Sequence, residues 1–122
     1  MTDSYDAGAS AGLPPVDAVD GPARIAELRG AVDRLDQRIV ELLAVRTRVV
    51  RELTVHKSDE AAVRSPDRVR QVLDRVRELA DRHGMPPEVA VATYRALIEE
   101  LTRMQLEMLA ARRAAPAPTD RR

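Results

Sequence analysis

The stretch IAELRGAVDRLDQRIVELLAVRTRVVREL, from Ile25 to Leu53, decides the fold. Its apolar residues recur at Ile25, Leu28, Val32, Leu35, Ile39, Leu42, Val49 and Leu53, spaced alternately by three and four once Arg46 is counted in the series. That spacing is the pattern of one long helix with a continuous packing seam. It predicts a helix over 23–56, roughly 50 Å long at about 1.5 Å per residue, where helices of globular proteins average about a dozen residues. A single copy of a small chain cannot cover such a rod along its whole length. The seam therefore predicts a dimer in which another subunit buries it.

Arg46 sits where the seam should carry another leucine. Burying an isolated guanidinium is prohibitively costly, so it needs a partner. That partner is either a carboxylate of the chain or an anion brought from outside, and the second alternative makes the seam a binding site.

Composition narrows the setting. The 122 residues are the size of one domain, and 20 basic side chains balance 20 acidic ones. A balanced chain has no general attraction for nucleic acid or acidic membranes, so any anion site is local. The absence of Cys excludes disulfides, thiol nucleophiles and thiolate metal sites. With no Trp or Phe, and only Tyr5 and Tyr94, the core must be aliphatic, which suits helix-on-helix packing better than a sheet. No apolar run approaches membrane length and the N-terminus lacks the regions of a signal peptide, so a cytoplasmic protein is expected.

The tails, 1–22 and 113–122, mix Gly, Pro, Ser and Asp or Ala and Pro without periodicity and read as disordered. The domain then spans 23–112. After the first helix comes a polar connector, 58–64, and then SPDR, which predicts a helix start with Ser65 as the capping residue, Pro66 at the first helical position and Asp67 against the positive end of the dipole. That second helix carries Val69, Val72, Leu73, Val76 and Leu79 and stops near His83-Gly84, where glycine suits a left-handed turn. The third runs over 86–112 with a stripe of Tyr94, Leu97, Ile98, Leu101, Met104, Gln105 and Met108. The expected fold class is all-α, a three-helix chain with a very long first helix, assembled as an intertwined homodimer.

Four further polar residues stand out. Gln105 takes a seam position, where its amide needs buried partners; it either fixes packing register or serves a site. Lys57 follows Arg46 by about three helical turns and projects from nearly the same face, although a solvated lysine near a helix C-terminus is the plainer reading. Arg68 is a cation in the first turn of a helix, where the dipole disfavours it. Arg29 lies roughly 25 Å up the rod from Arg46 and a quarter-turn round it, so one anion meets both only if Arg29 comes from a second, antiparallel chain. His56 and His83, both near helix ends, read as solvated caps. Neither a metal-ligand spacing nor a phosphate loop nor a nucleophile motif is present.

The run LRGAVDRLDQRIVELLAVR, then HK, EAAVRSPDRV and YRALIEELTRMQ, resembles the all-helical chorismate mutase family. The likeness covers 25–109 and rests on the order and spacing of Arg29, Arg46, Lys57, Arg68 and Gln105. It implies intertwined dimers with two equivalent sites and no cofactor or metal. By position, Arg29 would cross from the partner subunit, Arg46 and Arg68 would grip the two carboxylates of the substrate, and Lys57 and Gln105 would face the ether oxygen of the enolpyruvyl group. Two departures stand out. Val69 takes the place of a Glu that ordinary mutases carry near the ring hydroxyl, and Leu101 that of a small polar residue. Together with the connector, Val69 resembles the isochorismate pyruvate lyase branch. The sequence thus implies a chorismate mutase, with the lyase and a non-catalytic helical dimer as alternatives. An amino-substituted chorismate is a further conceivable substrate. Neither nucleic acid nor a membrane is an expected partner.

Overall fold

The computed structural model describes residues 20–116; the expected disordered tails lie outside that span except at their inner ends. The chain folds as α1 (Gly21–Val55), α2 (Glu60–Arg64), α3 (Pro66–Arg82) and α4 (Pro87–Ala114). Among the described residues there is no strand, and no helix is long and apolar enough to cross a membrane.

Helix α1 is the expected rod, 35 residues long. It starts two residues before the sequence-based boundary because the Asp20 carboxylate accepts the Ala23 N–H at 3.1 Å and Pro22 fits the first turn. It ends in a tightened turn, with the N–H groups of His56 and Lys57 donating to the Leu53 and Thr54 carbonyls at 3.0 Å each.

The connector differs from expectation. Residues 58–64 are not simply polar linker: Asp59 caps a single helical turn by accepting the Ala62 N–H at 2.8 Å, and Val63, its largest apolar side chain, is buried. Ser65 also departs from its expected role. Its hydroxyl makes no capping bond, because its backbone lies in the left-handed region (φ 38°, ψ 66°) rather than the extended conformation a capping side chain requires. That conformation ends α2, with the Ser65 N–H on the Ala61 carbonyl at 3.0 Å, and turns the chain into α3 within one residue. Pro66 does open α3, as SPDR predicts.

Helices α3 and α4 form an antiparallel hairpin. The turn between them contains Gly84 at φ 72°, with the Met85 N–H reaching back to the Ala80 carbonyl at 2.8 Å. Val76, Ala80, Ala90 and Val91 form its buried centre, flanked by Val72, Leu73 and Tyr94. The small side chains of Ala80 and Ala90 let the helices approach closely, whereas Leu79, placed on the stripe by periodicity, is 39% exposed. The C-terminal end of α1 and all of α2 also rest on α4. Thr54, Val63 and Leu109 are buried there, Thr54 fully. The rest of α1 projects beyond the chain: Ile25, Leu28, Val32, Leu35, Ile39 and Leu42 are each 45–68% exposed.

Replacing Gly84 by Ala puts a Cβ on a left-handed residue, at a cost of about 1–2 kcal/mol. Urea unfolding should show that loss with unchanged helix content; an unchanged midpoint would show that the turn does not depend on the left-handed residue.

Candidate active site

Beside the C-terminal end of α1 the four helices enclose a cavity of about 320 Å³, the size of a small-molecule site. Five of the six site residues expected from sequence line it: Arg46, Lys57, Arg68, Val69 and Gln105. Arg29 does not. It lies on the exposed part of α1, 17 residues before Arg46, or about 25 Å along the axis.

Arg46 projects from α1 and is half-buried. Neither sequence-based alternative anticipated its protein partner, which is the face of Tyr94 at 5.5 Å from the guanidinium carbon. Such a contact is worth about 0.5–1 kcal/mol near a surface and leaves the N–H fork free. Among the described residues no carboxylate pairs with Arg46.

Lys57 and Gln105 hold each other. The Lys57 ammonium donates to Gln105 Oε1 at 2.9 Å, and the Thr54 hydroxyl lies 2.9 Å from the same oxygen. An ammonium can only donate, so the amide oxygen must face Lys57 and the NH2 group must point elsewhere. Gln105 is 6% exposed, and its NH2 group has no partner among the described residues. A buried donor left unsatisfied is costly, and this one belongs to a residue lining the cavity.

Arg68 stands in the first turn of α3, with one guanidinium nitrogen 2.5 Å from Gln71 Oε1. Beside it Val69 joins Val63, Val72, Ile98 and Leu101 in an apolar wall. Arg64, which no periodicity singles out because it lies in the connector, adds a fourth cation; its only ion pair among the described residues is a long, exposed one to Glu60 at 3.7 Å. Among the described residues, four cations and no carboxylate line the cavity. The arrangement suits a compact, multiply charged anion with an apolar body.

Three other residues escaped the sequence reading. Thr54 is 1% exposed and touches both Gln105 and, at 2.7 Å, the Val50 carbonyl. Arg112 of α4 donates to the carbonyls of Val55 at 3.2 Å, Lys57 at 2.5 Å and, more weakly, Thr54 at 3.4 Å. Arg113 adds the Ser58 carbonyl at 2.9 Å. The Val55 carbonyl at the end of α1 and the Lys57 and Ser58 carbonyls just beyond it have no helical partner, and these guanidinium groups supply one. Thus α4 grips Lys57 at both ends, the ammonium through Gln105 and the backbone through Arg112. The signal was present in sequence, since Arg112 follows Gln105 by two helical turns, but basic residues near a helix C-terminus are too common to single it out. His56 and His83 are exposed caps of α1 and α3, as expected.

Residues 28–106 match the sequence profile of the chorismate mutase type II family. The chain is also similar to a chorismate mutase of Methanocaldococcus jannaschii, with 25% identity over 87 residues that cover 70% of this chain and 88% of that relative.

Arg112→Met removes the donors from the end of α1. The amides of residues 56–60 should then exchange with solvent at least about tenfold faster, with about 1 kcal/mol of stability lost. Unchanged exchange there would mean that the guanidinium does not hold this segment.

Proposed function

The chain belongs to the chorismate mutase type II family, and we propose that its cationic cavity is where chorismate rearranges to prephenate. The observation that carries this reading is the Gln105 amide, buried, pinned by Lys57, and left with an unpartnered NH2 group at a cavity of four cations.

The Claisen rearrangement is concerted: the ether C–O bond breaks as a C–C bond forms, and no proton changes hands. The protein therefore has two tasks. The first is to hold a flexible dianion in its compact reactive conformer, an orientation effect worth several kcal/mol. Arg46 and Arg68 suit that task because a guanidinium fork grips a planar carboxylate through two N–H bonds. The second is to stabilise negative charge growing on the ether oxygen. Lys57 gives one of its three N–H bonds to Gln105 and keeps two. With the Gln105 NH2 group it forms a preorganised pair of donors that bind the transition state more strongly than the substrate. The apolar wall containing Val69 supports the ring without reading its substituent. Isochorismate is therefore the informative second substrate.

The working unit in this reading is a homodimer. The exposed seam of α1 has no partner among the described residues, and covering the exposed half of each of its side chains would contribute roughly 1 kcal/mol apiece. An antiparallel pair of α1 helices centred on Arg38, the midpoint of Gly21–Val55, sets position 29 of one chain opposite position 47 of the other, beside Arg46. That register supports Arg29 as a cation contributed across the interface. A cysteine-free enzyme of this kind fits the cytoplasm.

Purified protein given chorismate and isochorismate in parallel should form prephenate from the first and little salicylate from the second; salicylate as the main product would replace the mutase reading with a lyase. Lys57→Ala should lower kcat by two orders of magnitude or more, about 2.7–4 kcal/mol of lost donor, in a protein that remains folded. Turnover at the wild-type rate would remove Lys57 from the chemistry.

Inactive Arg29→Ala and Lys57→Ala chains, refolded together in equal amounts, form heterodimers with one intact site. Activity should return to roughly a quarter of wild type. No recovery would place Arg29 outside the partner's site.

A further inference from the structure

Oε1 of Gln105 faces two donors, not one. Lys57 Nζ and Thr54 Oγ1 each lie 2.9 Å from it. Thr54 is the most deeply buried large side chain of the described residues, at 1% exposure, and nothing in the rearrangement itself calls for it. A threonine inside a helix ordinarily gives its proton to the carbonyl four residues back, and Val50 O is available at 2.7 Å. The hydroxyl has a single proton, however, and the Val50 carbonyl already accepts the helical N–H of Thr54. The same hydroxyl lies within bonding distance of Gln105 Oε1, and a three-centre bond shares its proton between the two acceptors. Because the ammonium fixes the facing amide atom as oxygen, Gln105 can only accept across this contact, and the Thr54 hydroxyl is the donor.

We propose that Thr54 is a positioning residue for Gln105, its hydroxyl holding the amide oxygen back so that the NH2 group faces the cavity. Gln105 without that donor has one anchor, the ammonium of a long, flexible lysine side chain. The amide can then turn over and present its oxygen, an acceptor, where the reaction needs a donor. The proposal rests on the function given to Gln105 above, namely that its NH2 group stabilises the developing charge on the ether oxygen.

The test is a cycle of Thr54→Val, Gln105→Ala and the double variant, assayed for kcat and KM with chorismate. Valine keeps the shape of threonine and removes only the hydroxyl. Thr54→Val is expected to lower kcat about tenfold, the scale of one buried hydrogen bond, with KM within about threefold because the arginines that grip the carboxylates are untouched. In the Gln105→Ala background the same substitution should change kcat less than about twofold, since the group it positions is gone. A structural role would lower the melting temperature and act equally in both backgrounds, which would overturn the proposal, as would wild-type kcat in Thr54→Val. Should valine prevent folding, Thr54→Ser and Thr54→Ala decide the matter. Serine, which keeps the hydroxyl, should stay within about threefold of wild type while alanine falls about tenfold; equal losses would sink the idea. Full activity in Gln105→Ala would instead remove Gln105 from the chemistry, a failure of the functional reading itself that the cycle distinguishes.

Discussion

The joint between the end of α1 and the middle of α4 is the constraint on which this chain depends. Among the described residues, most of α1 touches nothing else in its own subunit. It is fastened to α4 through a buried polar cluster in which Gln105 receives Lys57 and Thr54, and through the guanidinium of Arg112 on the carbonyls beyond. Polar groups in a low-dielectric setting bond strongly when satisfied and cost much when not, so such a joint tolerates few geometries. An apolar joint of the same size would hold as well but would allow the rod to slide or rotate. Here direction matters, because the residue at the joint is the lysine at the cavity.

Collecting four cations around about 320 Å³ without a carboxylate works against folding, since like charges repel. The chain limits that repulsion without neutralising the site. Arg46 lies over the Tyr94 ring, Arg68 leans on the Gln71 amide and Lys57 on the Gln105 amide. Each partner is neutral, so each positions a cation and leaves its charge uncancelled. Among the described residues only Arg64 has an acid, and that pair is long and exposed, the kind that contributes little. A set of buried ion pairs would have given a steadier empty cavity, but an incoming carboxylate would then have had to compete with them.

Much of this was legible in sequence because helices have a fixed period. Arg46 and Gln105 were visible as breaks in apolar stripes, and both line the cavity. Lys57 was reachable from Arg46 by counting turns, even though α1 stops at Val55 and Lys57 sits just past its cap. Arg64 and Val63 were not legible, since a connector has no period, and the turn α2 exists only because Val63 has somewhere to be buried. Ser65 misled for a related reason. SPDR is a sound local signal for a helix start, but Ser65 must also end α2, and the left-handed backbone that does so withdraws its hydroxyl from capping. Tyr94 was read as a core residue; that its ring also supports Arg46 follows from the crossing of α1 and α4, which no single-helix pattern contains.

The proposed homodimer gives the unburied seam and the unplaced arginine a single explanation. Arg29 lies too far along α1 to reach its own cavity, and the leucines and isoleucines between it and Arg46 face solvent in a lone chain. In the proposed homodimer, an antiparallel partner about the midpoint of α1 would cover those side chains and carry Arg29 to the neighbourhood of Arg46 in the same movement. In that pairing the length of α1 is set by function as much as by packing. A shorter rod would bury less surface, and it would also leave the distance from its midpoint to Arg29 unmatched to the distance to Arg46. Stability of the assembly and completeness of the site would then rise and fall together, so that a chain unable to dimerise would also lack a cation at its cavity.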